Sequence, residues 1–203
     1  MLNLITYLKD NLKLLCIIFC WGMSIAFGLY YLENYNITAG PAKTTPEIWP
    51  KRSGLHISRE LPTLIMFAHP HCSCSKASLN ELDRIIAQTH LLHDTYVVFY
   101  KPKKFNKTWL QSDLWKKAQN MQNVKIVTDE EGLIARLFGV QTSGHTVLYG
   151  SNEKLLFSGG ITASRAHEGD NAGKSAILSV LKTGKSEIKK TKAFGCTLYH
   201  DGE

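Results

Sequence analysis

The sequence carries no internal repeat and no low-complexity stretch, and its 203 residues are 44% hydrophobic and 20% charged. A disordered or compositionally biased chain is thereby excluded. Cysteine is scarce: five in the whole chain, too few for a disulfide-dense mini-scaffold, which is short and cysteine-rich. A strong charge of one sign is also missing. Lysine and arginine number 24 against 17 acidic residues, a net charge of +7, which fits an anionic membrane surface at least as well as a nucleic acid. No complete phosphate loop is present. In GDNAGKS, Gly169 to Ser175, three residues separate the glycines where a Walker motif needs four. Asp170 or Asn171 reads instead as a helix N-cap. The lysines at 182, 185, 189, 190 and 192 lack the interleaved aromatic residues on which single-stranded nucleic acids stack. No nucleic-acid partner is expected.

What is present begins with a charge-free run. Leu14 to Leu32, LLCIIFCWGMSIAFGLYYL, spans 19 residues without a charge. As a helix that is about 28 Å, close to the hydrocarbon thickness of a bilayer. Tyr30, Tyr31 and Tyr35 crowd its far end, where phenol rings suit the interface. A cleaved signal peptide would have an apolar region of about 7–15 residues followed by a small-x-small site, and none follows Leu32 directly. The expectation is one retained transmembrane helix over residues 14–32, with the lipid bilayer as its partner. Lys9 and Lys13 precede it and nothing basic follows until Lys43, which makes residues 1–13 cytoplasmic. The chain is then a single-pass protein of the inner (cytoplasmic) membrane, its soluble domain facing the periplasm or the cell exterior. Cys16 and Cys20 lie in the span and read as packing residues.

Residues 33–54 contain Pro41, Pro46 and Pro50 with little periodicity and read as a linker. Residues 55–184 alternate strands and helices. Leu61 to Ala68 is a buried strand, and apolar Leu79, Leu82, Ile85 and Ile86 then recur at helical spacing. A strand at 95–100, a helix near 110–121, a strand at 124–127 and a helix at 130–138 follow. Strands at 146–149 and 155–157, joined through Gly150-Ser151-Asn152, form a hairpin, and the last helix covers 171–181. This β-α-β-α-β-α-β-β-α order predicts an α/β domain whose mixed sheet is flanked by helices. Residues 185–203 read as a basic C-terminal tail carrying Cys196.

The chemistry concentrates in His69-Pro70-His71-Cys72-Ser73-Cys74-Ser75-Lys76, between the first strand and its helix. Reactive groups favour this end of open α/β sheets, and a helix N-terminus stabilises a thiolate. Cys72 is the candidate nucleophile, with His71 and Lys76 as thiolate stabilisers. Cys74, two residues on, reads as the resolving partner that completes the catalytic pair; a Cys72–Cys74 disulfide would close a short, strained ring that is readily reduced. Cys196 is a third candidate thiol, able to fold back as the resolving partner. The rival chemistry is metal binding: His69, His71, Cys72 and Cys74 put four N/S ligands within six residues, a set that suits copper(I) or zinc.

MFAHPHCSCSK resembles the first strand and active-site turn of the thioredoxin superfamily, in which a WCGPCK segment occupies this place. Cys72 then matches the attacking cysteine and Ser75 the second one, so Cys-x-Cys stands where the superfamily has CxxC. FGVQTSGHTVLY, Phe138 to Tyr149, is similar to the segment leading into the fourth strand, with Gly144 on the superfamily's cis-proline. Together HPHCSCS, TDEEGLIARLFGV, FSGGITASR, HEGDN and the C-terminal AFGC resemble the membrane-anchored RedB proteins over roughly residues 48–198. The resemblance implies a thioredoxin-like fold and thiol–disulfide exchange with a thiol or disulfide partner protein, with no cofactor required. It places a substrate-docking edge at Ser143, Gly144 and His145. The departures at Ser75 and Gly144 also fit a redox-inactive binding module.

Overall fold

The computed structural model describes residues 11–89 and 92–199, in two compact units divided after Thr38. The first holds α1, Leu12–Ile37, 26 residues long. It is long and apolar enough to cross a membrane, none of its residues is buried, and it outruns the expected 14–32 at both ends. Lys9 lies outside the described residues.

The second unit is built on five strands: β1 (Thr63–Ala68), β2 (Asp94–Lys101), β3 (Val124–Glu130), β4 (His145–Tyr149) and β5 (Leu155–Gly160). The sheet order is β3-β2-β1-β4-β5. β1 pairs parallel with β2 and β2 with β3, whereas β1–β4 and β4–β5 are antiparallel. The sheet is therefore mixed, as the alternating elements followed by a hairpin predict. β1 is central and every one of its residues is buried, the reason its sequence is a continuous apolar run and not an alternation.

Helices α2 (Ser73–Thr89), α3 (Asp113–Asn120), α4 (Leu133–Leu137) and α5 (Ala172–Thr183) complete the unit. Leu64 and Met66 of β1 face one core with Leu79, Leu82 and Ile85 of α2 and Ile177 of α5. Ile65 and Phe67 face the other, with Phe138, Tyr149 and Trp49. Asn171 caps α5, its side chain accepting the Lys174 N–H at 2.8 Å. Lys174 itself is ion-paired to buried Glu81 of α2 at 2.8 Å, so the glycine-rich segment serves helix packing.

Residues 39–54 of the expected linker and the described part of the expected tail belong to the second unit. Trp49, from the expected linker, is buried edge-on against Phe138 and Tyr149 with ring centroids 5.3 Å from each. The expected tail is a strap over residues 189–199. Its backbone bridges Ser158 at Lys190 and Thr142 at Thr197, and Ala193, Leu198 and Tyr199 are buried. Its lysines at 189, 190 and 192 are exposed. A run of solvated side chains thus hides a backbone that is bonded to the domain at several points, the Lys189, Ala193 and Cys196 carbonyls and the Thr191 and Leu198 N–H groups among them.

Candidate active site

Cys72 lies in the turn between β1 and α2. The Cys72 N–H donates to the His69 carbonyl at 3.1 Å, and the Ser75 N–H returns to the Cys72 carbonyl at 3.0 Å. Cys72 is only 2% exposed, and Cys196 lies against it: the two sulfurs are 2.7 Å apart across 124 residues of sequence. Cys196 is delivered by the strap. Its carbonyl accepts the Ser143 N–H at 2.8 Å, and Gly195 before it carries no side chain because a Cβ would strike the Ser143 carbonyl.

The electrostatics separate the two thiols. Donation from Cys196 to the Cys72 sulfur holds the Cys72 pKa down to about 4, against burial, with the Ser75 hydroxyl assisting. The same contact, with burial, drives Cys196 far upward. An ionised sulfur next to a protonated one is the arrangement that a shared hydrogen bond favours. Ser75, in the place of the second cysteine of a CxxC, therefore supports the thiolate. It also bonds the Ser143 hydroxyl, which in turn accepts the His69 N–H at 2.7 Å.

Cys74, the other half of Cys-x-Cys, is buried in the first turn of α2, and burial raises its pKa while the Arg165 guanidinium opposes the rise. Arg165 also donates to the Gly195 carbonyl at 2.7 Å, which ties the loop after β5 to the strap. The structure thus seats Cys196, and not Cys74, on Cys72.

The expected docking edge is occupied and buried. Ser143 is inaccessible, Gly144 is held at φ +87° with its N–H on the Phe67 carbonyl at 2.7 Å, and strap residue Thr197 bridges Thr142. His145 is 3% exposed, with Nε2 2.8 Å from the Ser158 hydroxyl. Burial, with Lys190 adding to it, drops its pKa to about 4, so it is a neutral core residue.

The four expected metal ligands do not converge. The His69 ring stacks on Tyr100 and meets Trp109 edge-on, while His71 turns to the Trp109 carbonyl at 2.9 Å. Cys72 faces Cys196, and Cys74 lies by Arg165. Among the described residues no three His, Cys, Asp or Glu side chains could hold a metal ion. Four ligands within six residues are close in sequence, yet they straddle a strand end and a helix start, which aims them apart.

A cleft of about 490 Å³ reaches Cys72 between α2 and α3, lined by His71, Lys76, Ser112, Asp113 and Lys117 among others. Cys196 is not in its lining. Cys72 thus borders the cleft, while the strap sets Cys196 against it. Sequence reading reaches Lys76 but not Lys117, whose only signal is its place in a basic stretch after β2.

No protein-family model and no curated protein sequence matches this chain. Solved structures do. An uncharacterized conserved protein from Geobacillus kaustophilus is similar at a TM-score of 0.56 and 15% identity, over 82% of this chain and 94% of its own. A hypothetical protein from Sinorhizobium meliloti is similar at 0.52 and 14%, over 82% and 97%. A secreted Mycobacterium tuberculosis disulfide oxidoreductase homologous to E. coli DsbE gives 0.44 and 13%, over 62% and 82%. The fold is the thioredoxin-like α/β arrangement, a mixed five-stranded sheet flanked by helices.

Proposed function

We propose that this is a membrane-anchored, extracytoplasmic thiol–disulfide exchange protein whose working pair is Cys72 and Cys196. The observation that carries the reading is the 2.7 Å approach of the two sulfurs, one held ionised and the other protonated. Depressed thiol pKa values at helix N-termini belong to reactive cysteines. α1 supports the anchor, and Lys13 in its first turn, ahead of the charge-free run, supports an N-terminus inside the cell. The likeness of HPHCSCS and AFGC to the RedB proteins joins the same two segments.

The steps follow from the geometry. The Cys72 thiolate, reached from the cleft, attacks one sulfur of a partner disulfide. A Cys72–partner mixed disulfide forms and the other partner sulfur leaves as a thiolate, which takes a proton. Cys196 then loses its proton and attacks the Cys72 sulfur, which closes the Cys72–Cys196 disulfide and releases the second partner thiolate. Two electrons have passed from the protein dithiol to the partner. Run backward, the same steps hand a disulfide to a partner dithiol. The low pKa of Cys72 makes it the better leaving group in that direction.

Mass-spectrometric mapping of the oxidised protein tests the pairing. The expected result is a Cys72–Cys196 linked peptide with Cys74 free, and exchange with a disulfide substrate that is lost in Cys72→Ser. A Cys72–Cys74 link, or equal exchange rates in the wild type and Cys72→Ser, overturns the assignment.

A further inference from the structure

The cleft beside Cys72 lies within a one-sided field. Residues 69–80 hold one lysine and no acidic residue, and residues 101–117 hold six lysines and one aspartate. Of those six, Lys101 is buried and paired with Glu130 at 3.3 Å, and Lys116 sits 3.9 Å from Asp113. Lys76 and Lys117 on the cleft, and Lys103, Lys104 and Lys107 on the loop before α3, are ion-paired to no carboxylate among the described residues. Glu131 lies at the loop's edge, engaged with the Lys103 N–H.

The loop is joined to the active-site turn through aromatic rings. Phe105, 39% exposed, stacks on Trp109 at 5.3 Å, and Trp109 packs on His71 at 4.7 Å. Lys104 lies over the Phe105 ring. Phe105 is thus an exposed ring backed by a half-buried one, and aromatic residues with a polar rim are enriched in protein–protein interfaces. The cations are spread over a helix, a loop and a second helix without converging on one point, which matches an extended chain and not a single compact anion. The sheet-side route to Cys72 is already taken by the strap at Thr142 and Ser143.

We propose that the cleft between α2 and α3, with the basic aromatic loop at 103–109, receives a polypeptide partner whose reacting cysteines are flanked by aspartate and glutamate. The inference rests on the exchange reading above and names the partner class for that same site. Opposite charge across such a surface raises the encounter rate and orients the incoming disulfide over the thiolate.

The test uses the reduced full-length protein in detergent and three synthetic peptides of one design. Each carries one internal disulfide, with flanking residues Glu, Gln or Lys. Single-turnover exchange is expected to run about tenfold faster for the Glu peptide than for the Gln peptide at low ionic strength, and slower still for the Lys peptide. In 1 M salt, where the screening length falls to about 3 Å, the Glu:Gln ratio should drop below about twofold. The variant Lys103→Glu/Lys104→Glu/Lys107→Glu should reverse the order and speed the Lys peptide, a gain that misfolding cannot produce. Equal rates for the three peptides overturn the inference and leave the exchange reading standing. Oxidised glutathione reacting as fast as the Glu peptide also overturns it, in favour of a small-molecule site. Failure of all three peptides to react overturns the exchange reading, and this inference with it.

Discussion

A thiol held down to about 4 is ionised throughout the physiological range, so its reactivity should not follow the usual thiol titration. An ordinary cysteine, with a pKa near 8.5, gains about tenfold in alkylation rate per pH unit below that value. The reduced protein should instead show a Cys72 alkylation rate that is nearly flat between pH 6 and 9. Cys196→Ala removes the donor with the largest effect and should move the midpoint of that profile upward, toward the ordinary range. Ser75→Ala, which removes the lesser donor, should move it less. An unmoved midpoint in Cys196→Ala would mean that Cys72 is ionised without help from Cys196. Part of this was legible in the residues themselves: a cysteine between a buried strand and a helix pattern marks the thiol, and it is in the cleft lining. Its partner was only one of two candidates, because the choice is made by backbone pairing between residues 142–143 and 196–197. No local pattern near Cys72 reports that pairing. Ser75 reads as a lost cysteine in sequence and proves to be a hydroxyl donor in space.

Elements with an apolar period were legible, and elements held by backbone alone were not. β1, β2 and β4 bury their apolar runs, so composition located them to within a residue or two. β3 extends three residues beyond the expected Val127, because Thr128, Asp129 and Glu130 continue the ladder with Phe99, Tyr100 and Lys101. The strap left no apolar signature except Ala193, Leu198 and Tyr199. One consequence of the strap's pairing along β5 is the burial of His145 against Ser158, with Lys190 nearby. Its folded pKa of about 4 lies below the ordinary 6.5. As pH falls, the unfolded chain therefore takes up the proton first. The stability contributed by neutral His145 is full above pH 6.5 and drains away between 6.5 and 4, by about 3 kcal/mol at the bottom of that window. His93, bonded between Thr89 and Thr95 and also lowered by burial, acts in the same direction. Urea unfolding at pH 7.5 and pH 4.5 should show the loss in the wild type and a smaller loss in His145→Gln. An identical pH dependence in the two proteins would exclude His145 as its source.

At the scale of the whole molecule, chemistry and location are carried by separate units, and the proposed location makes a demand on the chemistry. A Cys72–Cys196 disulfide persists only where the surroundings are oxidising, as they are outside the cytoplasm. α1 offers 26 helical residues, about 39 Å, of which every one is accessible. An apolar surface of that size is stable when lipid covers it. The full-length chain should therefore remain in the membrane fraction through an alkaline carbonate wash, at the mass of the intact polypeptide. Recovery of a shortened soluble form would show α1 to be a cleaved signal. Orientation is read from the cysteines themselves. After mild reduction of spheroplasts, a membrane-impermeant maleimide should label Cys72 or Cys196 and spare Cys16 and Cys20, which lie inside α1. Labelling of the Cys72–Cys196 pair only after the spheroplasts are lysed would place the domain in the cytoplasm. There the pair would be kept reduced, and the two halves of the molecule would no longer serve one function.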